Sequence, residues 1–369
     1  MATLSVAGAS ARGPLRVLVV AADRTRARQL ERMMAVPGFE VSGFAPDPTT
    51  AERLVGERHP AAVLVDLNLV DGGLEAIERI MSTRPTPIVV CGQAAQHPES
   101  ALAAGAVDVV GPLDVPAGTP EFAQALRRHL TIASRVPVIN HPRARLRAKG
   151  VEVFTPRSSD DSIAEHRSQP RAVVVAIGAS TGGPAALATI LRELPADLDA
   201  AVVVVQHMAE GFVDGMARWL DESCDLRVRV AHDGERLERR TVYLAPAGVN
   251  LVLRQGMRVG LIPPAARQFH VPAVDTTLVS VARVCGRNAV GVVLTGMGRD
   301  GAHGLRTMRE AGARTIGQDE ATCVVYGMPA AAKALRAVEA ELPLGDIAAA
   351  VVSAVEERVA TQVVAGGAS

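Results

Sequence analysis

The stretch RAVVVAIGASTGGPAALATILREL, residues 171–194, decides the fold. Its first part is a run of small and β-branched apolar residues, of the length of a strand buried on both faces. Its last part carries apolar residues at helical spacing. Between them, Gly178-Ala179-Ser180-Thr181-Gly182-Gly183-Pro184 supplies glycines for a tight turn and a proline suited to a first helical turn. Strand, glycine turn and helix in that order begin a βα unit.

The same rhythm continues towards the C-terminus. AVVVVQH (201–207) reads as a second parallel strand and FVDGMARWLDE as a helix. The stretch 226–262 alternates more, turns near Ala247-Gly248, and reads as a small antiparallel insertion. A helix at 273–285, a strand at AVGVVLTG (289–296), a helix through GAHGLRTMREAG, a strand in ARTIGQD and a helix at 344–359 follow. Towards the N-terminus, apolar runs at 15–21, 40–44, 61–66, 87–91 and 106–110 alternate with helix-forming segments, and 121–130 closes the set. Five βα units in this length predict a small, five-stranded, doubly wound parallel domain. From 131 to 170 the periodicity fades into a basic run, HPRARLRAK, and an acidic one, SSDD. The expected organisation is an extension at 1–13, an α/β domain at 14–130, a linker at 131–170 and a mainly parallel, doubly wound α/β domain at 171–369.

Length and composition agree with this division. At about 150 residues per domain, 369 residues give two or three domains. Apolar residues are 48% and charged residues 21%, with 39 basic against 39 acidic, which excludes a largely disordered chain and a polybasic nucleic-acid binder. No run approaches the roughly 18 uninterrupted apolar residues of a membrane span. The start lacks the pattern of a secretory signal. Cys91, Cys224, Cys285 and Cys323 are widely spaced, as expected of a reduced, cytoplasmic protein.

Three polar residues stand where strands give way to glycine turns. Ser180 lies in Gly178-Ala179-Ser180-Thr181-Gly182, which fits the G-x-S-x-G nucleophile pattern in its strand–turn–helix setting. A helix cap and a phosphate-binding loop use the same residues. The next strand ends in Gln206-His207, where a dinucleotide-binding unit would offer an acidic residue for the ribose. A neutral imidazole there can take a serine proton. Asp300, in LTGMGRDG (294–301), can cap the following helix or orient the imidazole. The order Ser180, His207, Asp300 differs from that of the α/β-hydrolases and from the familiar serine proteases.

IGASTGGPAAL, VVVVQHM, TVYLAPAG and VVLTGMGRDGAHGL, in this order after a receiver-like domain, closely resemble the chemotaxis protein-glutamate methylesterases, over about 171–360. The resemblance implies Ser180 as nucleophile, His207 as general base and then acid, and Asp300 as its orienting carboxylate. It places Met297 beside the oxyanion through its backbone N–H and Thr181 in a positioning or oxyanion role. It implies hydrolysis of γ-glutamyl methyl esters on the cytoplasmic helices of a chemoreceptor, with glutamine deamidation in many members, and no metal or cofactor for catalysis. Partners would be the methylated receptor and a signalling kinase or other regulator, without nucleic acid or membrane insertion. Ala247, Asn250 and Ala273 depart from the family pattern and bear on substrate fit. His270 and His303 read as surface residues.

Residues 15–130 resemble a response-regulator receiver, with Asp66 of DLNLVDGGLEAIERI in the phosphoacceptor position. An active receiver needs an acidic pair to hold Mg²⁺ beside that carboxylate. Here Ala21-Ala22 follow the first strand, CGQ replaces the hydroxyl residue and AVDVVGPL lacks the lysine. Asp23 is displaced from the acidic pair. The expectation is a pseudo-receiver without Mg²⁺ that docks and gates rather than accepting phosphate. Three readings compete with this one: a serine hydrolase for another protein ester or amide, a scaffold with a vestigial site, and a nucleotide-binding loop at 178–183.

Overall fold

The computed structural model describes residues 13–69, 72–92, 98–110, 119–134, 173–208, 212–266, 268 and 270–366. The expected extension (except Gly13), the linker beyond residue 134, and the loop positions 70–71, 93 and 111–113 of the receiver reading lie outside the described residues.

Asp23, Asp47 and Thr119 each stand in extended backbone and accept a hydrogen bond from a backbone N–H of the first helical turn, so they start three helices of the first module. The order is β1 (Leu15–Val20), α1 (Arg24–Met34), β2 (Phe39–Ala45), α2 (Pro48–Arg58), β3 (Ala62–Asp66), α3 (Gly73–Thr83), β4 (Ile88–Cys91), α4 (Pro98–Ala103), β5 (Asp108–Val110) and α5 (Pro120–Ala133). The strands form one parallel sheet in the order β2-β1-β3-β4-β5. Apolar clusters cover both faces, one around Leu30 and Leu126, the other around Ile77 and Ile80. This is why β3 and β4 are apolar without alternation.

The second module runs β6 (Val173–Ala179), α6 (Gly183–Glu193), β7 (Ala200–Gln206), α7 (Val213–Asp221), β8 (Arg227–Val230), β9 (Thr241–Leu244), β10 (Asn250–Arg254), β11 (Arg258–Ile262) and α8 (Val274–Cys285). It continues with β12 (Ala289–Val293), α9 (Ala302–Glu310), β13 (Arg314–Gln318), α10 (Met328–Ala334), β14 (Ala340–Leu342) and α11 (Leu344–Gly366). Seven strands make a parallel sheet in the order β14-β13-β12-β6-β7-β9-β8, and β10 and β11 form a separate antiparallel hairpin. The antiparallel insertion is therefore shorter than the alternation at 226–262 suggests. β8 is an edge strand, and its partial exposure accompanies an alternating pattern within a parallel pairing.

β6 lies between β12 and β7, and the chain winds away from it in both directions. That is a topological switch point, where open α/β sheets gather ligand-handling groups beyond the C-terminal strand ends. Cys91, Cys224, Cys285 and Cys323 form no disulfide. Among the described residues, no helix is long and apolar enough to cross a membrane, and no group of three or more His, Cys, Asp or Glu could hold a metal ion.

Candidate active site

Ser180, His207 and Asp300 follow the C-terminal ends of β6, β7 and β12, three adjacent strands. β6 and β7 pair in register up to Ala179 opposite Gln206, and His207 N–H donates to the Ala179 carbonyl at 3.0 Å. The Ser180 N–H donates to the Thr295 carbonyl at 3.0 Å, tying the serine turn to the end of β12. Thr295 Oγ1 in turn donates to the Thr181 carbonyl at 3.0 Å.

The imidazole of His207 is bonded through Nε2 to Asp300 Oδ2 at 2.8 Å. Its other nitrogen, Nδ1, is buried and has no partner among the described residues. The Ser180 hydroxyl makes no hydrogen bond to this ring. The His207–Asp300 link is made, and the Ser180–His207 link is open.

Asp300 does more than face the imidazole. Its carboxylate accepts from Val274 N at 2.8 Å, Asp275 N at 2.9 Å and Gly301 N at 3.0 Å. The first two belong to the opening turn of α8, whose own N-cap, Ala273, offers no side-chain acceptor. A carboxylate from another strand thus satisfies helix N–H groups that a residue-273 hydroxyl would ordinarily serve. The cap reading and the imidazole reading of Asp300 both describe this side chain, though the helix it caps is α8. Burial pushes the Asp300 carboxyl up, but the His207 hydrogen bond and the Asp275 and Val274 N–H groups outweigh it and hold it below its ordinary value.

Glycines let α8 come this close. A Cβ at Gly178 would sit 2.1 Å from Val274 Cγ1, and one at Gly301, where φ is +88°, would sit 2.7 Å from the same atom. Val274 plugs the space between the end of β6 and the turn before α9, where a side chain at Gly178 or Gly301 would collide with it.

Met297 is part-exposed on the turn before Asp300, and Thr181 is buried beside Ser180. Neither backbone N–H has an acceptor among the described residues. Both N–H groups lie beyond adjacent strand ends.

Several contributors were not legible in the sequence. Gln206 is buried and donates from Nε2 to the Ser180 carbonyl at 2.8 Å and the His207 carbonyl at 2.9 Å, clamping the two strand ends together. Its position next to His207, as a polar residue ending an apolar strand, was the available signal. His270, read from the sequence as a surface residue, is exposed on one side but lies flat on the His207 ring, with centroids 4.6 Å apart and planes 5° apart. His303 is exposed on α9, as expected.

In the first module, Asp66 is fully buried at the end of β3. It accepts from Arg26 Nε at 2.5 Å, Asn68 N at 3.0 Å and Asn68 Nδ2 at 2.6 Å. Arg26, on α1, gave no signal in the sequence. Asp23 spends Oδ1 on capping α1 through Arg26 N. The modules touch: α4 packs against α7 and α6, and Arg128 of α5 donates towards Met297 Sδ.

A five-stranded receiver-like sheet joined to a seven-stranded α/β sheet with polar residues at its switch point defines a two-module protein of the response-regulator-linked α/β class. A family model described as CheB methylesterase matches residues 175–351. The chain is 40% identical to protein-glutamate methylesterase/protein-glutamine glutaminase 2 of Anaeromyxobacter dehalogenans, over 90% of this chain and 95% of that protein. It is 38% identical to protein-glutamate methylesterase/protein-glutamine glutaminase 3 of Paramagnetospirillum magneticum, over 92% of this chain and 96% of that one. The crystal structure of the Thermotoga maritima CheB methylesterase catalytic domain is similar over 49% of this chain and 98% of its own, at 37% identity and a TM-score of 0.48. The chain belongs to the protein-glutamate methylesterase/protein-glutamine glutaminase family.

Proposed function

We propose that this protein hydrolyses γ-glutamyl methyl esters on the cytoplasmic helices of a chemoreceptor, with Ser180 as nucleophile, His207 as base and acid, and Asp300 as orienting carboxylate. The observation that carries the reading is the state of the His207 ring: Nε2 is held by Asp300, Nδ1 is buried with no partner among the described residues, and the His207 backbone pairs with the strand end that leads into Ser180. Substrate binding closes the open link, since catalytic hydrogen bonds often tighten only in the complex.

Nδ1 takes the Ser180 proton as Oγ attacks the ester carbonyl. The Met297 and Thr181 N–H groups receive the oxyanion. Collapse of the tetrahedral species breaks the C–O bond to the methoxy group, which leaves as methanol with the proton from Nδ1. Water then gives a proton to Nδ1 as its oxygen adds to the acyl carbonyl; the C–Oγ bond breaks, Oγ takes the proton back from Nδ1, and the glutamyl acid leaves and ionises, with Ser180 and neutral His207 restored. The positive charge that His207 carries in each stage is offset by Asp300, which its N–H donors keep ionised. A glutamine side chain follows the same path with ammonia as the leaving group, an activity included in the names of both relatives.

The first module works in this reading without aspartyl phosphate. Ala21 and Ala22 offer no side-chain oxygen to Mg²⁺, Asp23 is engaged as a cap, and the Arg26 guanidinium pairs with Asp66 where a divalent ion would be needed. These residues do not fit the metal, so no step passes through it. The division at 14–130, 131–170 and 171–369 assigns gating to the first part and chemistry to the last. Arg128, resting on Met297, is the contact through which docking covers the site. A kinase or other regulatory protein would then act by moving the module.

A fluorophosphonate probe tests the chemistry. Intact mass and peptide mapping should find one adduct, on Ser180, formed by the full chain and lost in His207→Ala. Labelling elsewhere, or labelling indifferent to His207, overturns the assignment.

A further inference from the structure

The triad reading leaves His270 without a role, yet its ring covers a face of His207 in near-parallel stacking. The segment that delivers it is braced. Asn250, 2% exposed, and Gln268 exchange two amide hydrogen bonds, Asn250 Nδ2 to Gln268 Oε1 at 3.0 Å and Gln268 Nε2 to Asn250 Oδ1 at 2.8 Å. Gln268 Nε2 also donates to the His270 carbonyl at 2.8 Å, and its Oε1 accepts from Ala265 N at 3.0 Å. Asn250 Oδ1 accepts from Ala273 N at 2.8 Å, next to the helix turn that holds Asp300. Asn250, a departure from the family pattern, is thus the buried anchor of the loop that carries His270.

A ring held at one edge can still swing about that contact, because the torsion joining it to Cβ is soft. The Asp300 bond fixes where Nε2 sits, but it does not by itself fix the plane in which Nδ1 is presented. A second flat ring 4.6 Å from the first restricts that motion. We propose that His270 is a positioning residue: its ring, braced by Asn250 and Gln268, sets the plane in which the His207 imidazole meets the Ser180 hydroxyl. The inference rests on the Ser180–His207–Asp300 reading and adds to it.

The stack tolerates the chemistry only if the two rings are not charged together. The groups facing His270 are His207 at the end of β7, Asp300 after β12 and Arg128 on α5. Burial and the charges of His207 and Arg128 push the His270 ring below its ordinary value, against the opposing pull of Asp300. Each of these pushes favours the neutral His270 ring beside His207.

The test is steady-state methanol release from a methylated chemoreceptor fragment by the full chain and by His270→Ala, His270→Phe, Asn250→Ala, the Asn250→Ala/His270→Ala double variant and Ser180→Ala. Removing the ring should lower kcat about tenfold with KM within about twofold, and phenylalanine, flat but uncharged, should restore kcat to within about threefold. Asn250→Ala should lower kcat likewise, and the double variant should be no worse than His270→Ala. Should Asn250→Ala fail to fold, the alanine and phenylalanine variants at the exposed position 270 decide. Wild-type kcat in His270→Ala overturns the proposal, as does a loss confined to KM that phenylalanine does not repair, or a double variant whose losses multiply. If Ser180→Ala keeps wild-type activity, the underlying triad reading has failed instead. If it is inactive while His270→Ala is normal, only the positioning role has failed.

Discussion

Asp300 Oδ2 accepts simultaneously from the His207 ring and from the Val274 backbone N–H, each at 2.8 Å. One carboxylate therefore holds the imidazole and closes the N-terminus of α8. Helix N–H groups already point at it, so in the proposed mechanism the site would not have to reorganise as positive charge develops on His207.

This double duty predicts a double loss. Asp300→Asn should lower kcat by about 10²- to 10⁴-fold and cost about 1–3 kcal/mol of stability, since N–H groups of α8 lose a charged acceptor. The pH dependence has a definite sign. A carboxyl whose folded pKa is depressed contributes stability that is present above its unfolded value, near 3.8, and lost as pH falls through the folded value. Urea unfolding of wild type and Asp300→Asn should differ by a constant amount near neutrality, and the gap should shrink below the ordinary carboxylate range.

Arg26 and Asp66 form the corresponding pair in the first module. Arg26→Ala would leave a fully buried carboxylate with Asn68 but no counter-charge, at a cost of about 3–5 kcal/mol to the first module. Adding Asp66→Asn should recover most of this, as seen in the circular-dichroism unfolding curve. Treatment of the wild-type chain with a small phosphodonor and Mg²⁺ should leave its intact mass unchanged. Stoichiometric, hydroxylamine-labile phosphate on Asp66 would reverse the pseudo-receiver assignment.

Arg128 of the first module donates towards Met297 Sδ of the second. If docking covers the oxyanion region, Arg128→Ala should raise kcat/KM on a receptor substrate about threefold or more, and should leave reaction with a small ester nearly unchanged. Equal or lower activity on the receptor would remove Arg128 from the gate.

Much of the fold was legible because both sheets are parallel and covered on both faces. Val173–Ala179, Ala200–Gln206 and Ala289–Val293 are buried throughout, and such strands advertise themselves as unbroken apolar runs. Edge and short elements were harder. β8 alternates at an edge, and three-residue β14 and the brief Ala-rich α10 carry too little periodicity to be read. At the site, strand-end positions singled out Ser180, His207 and Asp300. The contacts of His270, Gln206 and Arg26 depend on how loops fold back across strand ends, and residue type and spacing do not encode that. The Asn250–Gln268 pair shows the same limit: the departure at Asn250 was visible, but its partner was not.

The most direct measurement is methanol release from a methylated chemoreceptor fragment by the full chain, compared with Ser180→Ala and His207→Ala. The account predicts release by the wild-type chain and a fall of at least about 10³-fold in kcat for each variant. Release by Ser180→Ala at the wild-type rate would contradict it.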